Sequence, residues 1–132
     1  MQKVVLDTNV LVSALWSEQG NPYKIVEMVF KNEIMPYFNH EIIEEYLEVL
    51  CRDRLNFSKD KVVSLLNQIM KNGIISESVI STTIFADESD RKFYDIAKAN
   101  EAVLITGNIK HYPEEPFIIT PQKFLEKYSG LV

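Results

Sequence analysis

The chain has 132 residues, 46% hydrophobic and 25% charged, with four glycines, five prolines and a formal charge of −5. That is the size of one domain with room for a substantial core, and it excludes a disordered, collagen-like or linker-like chain. A lone cysteine, Cys51, leaves no internal disulfide and no cysteine-rich zinc or CxxC redox site, while the acidic balance excludes a broad basic coat for nucleic acid but leaves room for a local basic rim.

Residues 3–6 are an apolar, β-branched run that predicts a strand ending at Asp7, and residues 8–15 predict a helix. A carboxylate at the carboxyl end of a buried strand lies where open parallel sheets bind ligands. The opening run is broken by Asp7 and Asn9 and reads poorly as a secretion signal. No apolar stretch approaches the ~20 residues of a membrane span. A cytoplasmic location with no membrane partner is expected.

After a loop over 17–22, Ile25, Val26, Val29 and Phe30 follow helical spacing, with Asn21 and Pro22 as cap and first helical residue. Residues 35–38 predict a strand. Residues 41–52 predict a helix with Ile42, Ile43, Tyr46, Leu47 and Leu50 on one side and Glu41, Glu44, Glu45 and Glu48 on the other. Ser58 is placed to cap the next helix, whose apolar face comprises Val62, Val63, Leu65, Leu66, Ile69 and Met70, and Asn72-Gly73 stops it.

Residues 74–84 read as a strand passing partly into loop. The acidic loop 87–90 precedes a helix over 91–100, residues 102–105 and 116–119 predict strands, and Thr120-Pro121 starts a terminal helix with Phe124 and Leu125. Strands alternating with helices predict a single domain over 1–132, a three-layer α/β/α fold with a mainly parallel sheet.

The residues suited to chemistry each have two readings. Asp7 is either a ligand at the sheet edge or a cap that satisfies Thr8 or Asn9. Glu45 either faces the same crevice or belongs to a solvated acidic face. Asp90, with Asp87 and Glu88, either ligates a cation at a helix start or merely caps it. Thr106 and Asn108, after the late strand, either position water or phosphate or stabilise a turn. The aromatic residues Trp16, Tyr23, Phe30, Tyr46, Phe93 and Tyr94 read as core or dimer packing before base stacking.

Four segments together resemble the PIN-domain family of metal-dependent ribonucleases, particularly its toxin-like, VapC-related branch. LDTNVLVSAL, residues 6–15, is similar to the family's first acidic motif, HEIIEEYLEVL, residues 40–50, to the segment with its helical acid, DESDRKFYDIA, residues 87–97, to its third, and TGNIKHY, residues 106–112, to its fourth. The resemblance implies metal-binding catalytic residues at Asp7, Glu45 and Asp90, with Asn108 as a fourth catalytic position. It implies an Mg²⁺ or Mn²⁺ cofactor, an RNA substrate hydrolysed at internal phosphodiesters, a cognate antitoxin and a homodimer. Carboxylates within ~4 Å repel by roughly 4 kcal/mol at an effective dielectric near 20, a cost such a cation offsets.

Thr106, Asn108, Arg91 and Lys110 are read as positioning phosphate or water, and Asp87 as an outer-sphere group; Lys92 and His111 are further basic neighbours. Asn108 departs from the family pattern, which has an aspartate in many members, and so lowers the charge available for two cations. The alternatives are a catalytically weak nucleic-acid-binding or regulatory PIN domain and a structure-selective nuclease acting on DNA. Nucleotide-cofactor readings lack their GxGxxG or GxxxxGK[ST] loop.

Overall fold

In the computed structural model, which describes residues 1–128, the opening run forms strand β1 (Gln2–Leu6), with Val4, Val5 and Leu6 almost wholly buried. There follow α1 (Thr8–Trp16), α2 (Asn21–Phe30), β2 (Ile34–Phe38), α3 (His40–Leu50), α4 (Lys59–Asn72), β3 (Ile74–Ile75), α5 (Arg91–Ala99), β4 (Val103–Ile105), β5 (Ile118–Ile119) and α6 (Pro121–Tyr128). Short 3₁₀ turns occupy Asp53–Leu55, Glu88–Asp90 and Ile109–His111.

The five strands form one sheet in the order β3-β2-β1-β4-β5, and every pairing is parallel. Two steps to one side, β1 to β2 to β3, are followed by a return past β1 to β4. Right-handed crossovers in opposite directions put their helices on opposite faces, so α1, α2 and α4 cover one face and α5, which packs on β1, β2 and β4, covers the other. The three-layer parallel α/β architecture expected from the alternation is the one observed. The strand order reverses between β1 and β4, where parallel sheets open a crevice at their carboxyl ends.

Details differ where side chains rather than periodicity decide. Asn39, unmarked in the sequence, caps α3 by accepting the Ile42 N–H at 2.9 Å. Ser58 stands at the cap of α4 but its hydroxyl makes no capping bond, and Asn21 is the first residue of α2, with Gly20 before it. Leu47, Val63 and Met70, counted on apolar faces, are exposed. Of residues 74–84 only Ile74 and Ile75 pair; Ile80 and Ile84 are 83% and 92% exposed, because the intervening serines and threonines leave no continuous apolar face to hold a longer strand. Among the described residues, no helix is long and apolar enough to cross a membrane.

Candidate active site

Asp7 leaves β1 at the reversal point, its backbone N–H bonded to the Ile105 carbonyl at 3.0 Å. Its carboxylate is 6% exposed, and Oδ2 accepts hydroxyls from Thr106 and Tyr112, each at 2.8 Å. Although Asp7 takes the cap position of α1, its side chain makes no capping bond there. The carboxylate is gripped from β4 and from the turn after it, with the Asn9 backbone N–H adding to its stabilisation.

Asn9 and the chain after β4 are laced together around it. Asn9 Oδ1 accepts the Gly107 N–H at 2.8 Å, and the Asn108 N–H donates to Thr106 Oγ1 at 3.0 Å. A Cβ on Gly107 would sit 3.1 Å from Asn9 Oδ1, so the missing side chain permits this close approach. The Asn108 side chain itself is exposed and makes no hydrogen bond among the described residues, and Lys110 is likewise exposed.

Glu45 reaches the crevice from α3. Thr8 donates its hydroxyl to Oε2, and the Lys92 ammonium meets Oε1 at 2.8 Å. One residue on, the buried Tyr46 hydroxyl donates to the Leu6 carbonyl, which ties α3 to the end of β1. Asp90 enters from the start of α5, with Oδ2 3.8 Å from His111 Nδ1. Asp87 spends its Oδ1 on the N–H and hydroxyl of Ser89, at 2.9 and 2.8 Å. Arg91 is engaged by Glu88, by the Ser81 carbonyl and hydroxyl, and by the Thr83 carbonyl, with its guanidinium over the Phe85 ring.

The electrostatics join Asp7, Glu45 and Asp90 into one neighbourhood. Burial, reinforced by the charge of Glu45, raises the Asp7 carboxyl above the usual aspartate range despite the lowering hydrogen bonds from Tyr112 and Thr106. Burial followed by the charges of Asp7 and Asp87 raises Asp90, with His111 opposing and Glu45 adding. Burial first, and then the Asp7 charge, push Tyr112 well above the phenol range, so it stays a proton donor to Asp7. Among the described residues no three His, Cys, Asp or Glu side chains close on a common point as a metal cage, and Glu45 is drawn onto Lys92 and Thr8. The donor set at this edge is nonetheless all oxygen, with mutually unfavourable negative charge, which suits a hard divalent cation.

The residues that motif reading left out are Tyr112, Thr8 and Asn9. They are ordinary polar residues in sequence; their roles arise from contacts across the sheet, 105 positions apart for Tyr112 and Asp7. Tyr112 carries one usable signal, a tyrosine closing a segment already singled out.

A family model for the PIN domain matches residues 3–110, a span containing Asp7, Glu45, Asp90, Thr106 and Asn108. The chain is 27% identical to the uncharacterized protein MJ1680 of Methanocaldococcus jannaschii, covering 98% of this chain and 94% of that protein. In shape it is similar to VapBC2 from Rickettsia felis, solved bound to a DNA fragment from its promoter, with a TM-score of 0.59 and 19% identity over 90% of this chain and 97% of that one. It is also similar to PAE2754 from Pyrobaculum aerophilum, with a TM-score of 0.60 and 14% identity over 98% of this chain and 90% of that one. At these identities the two solved structures speak to fold alone.

Proposed function

Because the chain belongs to the PIN domain family, we propose that it is a divalent-cation-dependent endoribonuclease, the toxin of a toxin–antitoxin pair, working in the cytoplasm as a homodimer restrained by a cognate antitoxin. The observation that carries this reading is the buried Asp7 carboxylate at the strand-order reversal, charge-coupled to Glu45 and Asp90. Mg²⁺ or Mn²⁺ held by Asp7 and Asp90, with Glu45 completing or orienting the set, would offset their repulsion and supply the Lewis acidity that phosphodiester hydrolysis needs.

The chain's own residues prepare that chemistry. Thr106 and Tyr112 hold Asp7 in one orientation, so no reorganisation is needed when charge develops nearby. Lys92 neutralises Glu45 and presents an ammonium at the rim, where it and Lys110 meet substrate phosphates. Asn108 orders water or a phosphate oxygen through its exposed amide, whereas the Thr106 hydroxyl, buried and donated to Asp7, acts by holding that carboxylate and the turn after β4 rather than by meeting water or phosphate. Asp87 acts one shell out, through solvent, and Arg91 secures the loop that delivers Asp90.

The test is cleavage of a diverse, end-labelled RNA pool by wild type and by Asp7→Asn, with Mg²⁺ or Mn²⁺ and with EDTA. Internal cuts that need the cation and fall at least ~100-fold in the variant are expected; equal cutting by the variant removes Asp7 from the chemistry. The neutral Asn108 favours a second reading, a weak or regulatory nucleic-acid-binding domain. Tight RNA binding by folded wild type with no cation-dependent cut selects it, and a DNA substrate cut in preference to RNA selects a DNA nuclease.

A further inference from the structure

A second cleft, of about 280 Å³, opens beside the carboxylate neighbourhood and shares a wall with it: Lys92, whose ammonium holds Glu45, also lines this cleft. At its base, from the second turn of α5, lies Asp95. That side chain is 1% exposed, and among the described residues neither carboxylate oxygen has a hydrogen-bond partner. The Arg91 guanidinium lies 3.7 Å from Oδ2, near enough to offset charge but too far to be a hydrogen bond. A buried carboxylate without hydrogen-bond donors costs the fold free energy, which its i,i+4 ion pair with Arg91 offsets only in part.

Other features narrow what would satisfy it. A divalent cation is a poor occupant, because Arg91 and Lys92 line the same cleft and no three acidic side chains close on a point there among the described residues. The outer wall is apolar: Val79 and Ile80, 44% and 83% exposed, are branched side chains that nothing in the fold requires at the surface. A volume near the lower end of ligand pockets admits one planar group of modest size. The cleft thus presents two adjacent acceptors at its base, an apolar face, and a margin of two cations, Arg91 and Lys92, with two further carboxylates, Glu41 and Glu88, the second paired with Arg91.

Resting on the ribonuclease reading above, we propose that this cleft takes a guanine base of the RNA substrate and that Asp95 is a specificity-determining residue. Among the four bases only guanine carries two neighbouring N–H donors, N1–H and the 2-amino group, on its Watson–Crick edge, and a carboxylate matches that pair with its two oxygens. Adenine and cytosine offer one amino donor beside an acceptor, and uracil one N–H between two acceptors. Sequence-specific recognition of RNA works on such splayed bases, read at their edges and packed on their faces. Val79 and Ile80 pack on the base, while Lys92 places the attached phosphate toward the catalytic carboxylates.

The Asp95 oxygens are buried in this structure, so a base reaches them only as the lining of the cleft moves, and residues 78–80 are part of that lining. Among the described residues that segment is tied down by one hydrogen bond, the 3.4 Å contact from Asn39 Nδ2 to Ser78 Oγ.

The experiment maps the fragment ends left by wild type and by Asp95→Asn on a diverse RNA pool, and repeats the wild-type reaction on transcripts carrying inosine in place of guanosine. Inosine lacks only the 2-amino donor, so this arm needs no variant to fold. The expected result is a guanine enriched at one fixed position relative to the cut, a loss of about ten-fold in rate with inosine, and cutting by Asp95→Asn that continues without the enrichment. Cuts without a guanine preference, or a preference unchanged by both inosine and Asp95→Asn, overturn the proposal while leaving the ribonuclease reading intact. If wild type makes no cuts, that reading is what fails, and the cleft is judged by calorimetric titration with guanosine and inosine monophosphates: about ten-fold tighter binding of the guanosine form upholds it as a guanine site, and equal or absent binding overturns it.

Discussion

Asp7 shows how a buried carboxylate sets itself against the fold that holds it. Its proton affinity is raised in the folded protein above the ordinary value of 3.8, burial being the larger cause and Glu45 adding to it. The native state therefore favours the protonated form, and the stability linked to this group is complete below the ordinary aspartate range and lost as pH rises through the raised value. Asp7→Asn keeps the shape and an acceptor for Thr106 and Tyr112 but carries no charge. In EDTA at pH 7 the variant should melt above wild type, with the gap closing as pH falls below ~4, the ordinary aspartate range. Calorimetry at the two pH values checks this, and a variant that melts lower at pH 7 contradicts it. Tyr112→Phe should act oppositely, costing about 1.5–3 kcal/mol by removing a donor to a buried charge, as read from urea unfolding.

The elements were far more legible than the contacts that tune them. Runs such as Val4 to Leu6 and Val103 to Ile105 declare buried parallel strands by composition alone, and their order set the three-layer arrangement. Of the candidate carboxylates, Asp7 at a strand end and Asp90 at a helix start stand out by position, whereas Glu45, in the middle of α3, is singled out only within the spaced pattern. The grip of Tyr112 on Asp7 and the burial of Asp95 beside a cleft that residues 78–80 also line were not legible, since each depends on how separate elements meet. The same limit shows at Gly73, expected only to end α4. A Cβ there would lie 2.3 Å from the Pro36 carbonyl oxygen and 2.6 Å from that of Ile69, both backbone atoms with little freedom to yield. The glycine lets α4 end directly against β2, so that Ile74 enters register with Tyr37. Gly73→Ala should destabilise by about 1–3 kcal/mol, seen as a lower urea midpoint at unchanged slope. An unchanged midpoint would mean that the helix end shifts at no cost.

At the scale of the whole molecule, the proposed function asks a chain of charge −5 to engage a polyanion through an acidic crevice. Self-repulsion and substrate repulsion then have the same remedy, a bound divalent cation, and it should be visible in stability before any substrate is added. A cation that binds only the folded chain contributes about 2.7 kcal/mol at a concentration 100 times its dissociation constant, roughly 10 °C in melting temperature for a domain of this size. The charge that makes Asp7 costly in EDTA is the charge that would bind Mn²⁺, so the ranking of wild type and Asp7→Asn should invert on titration. The variant melts higher without the cation; wild type overtakes it as Mn²⁺ rises, and EDTA restores the first order. Potassium at matched ionic strength supplies screening without coordination and should leave the ranking unchanged. Parallel shifts of both proteins with Mn²⁺ would place the cation elsewhere on the acidic surface and separate Asp7 from metal binding.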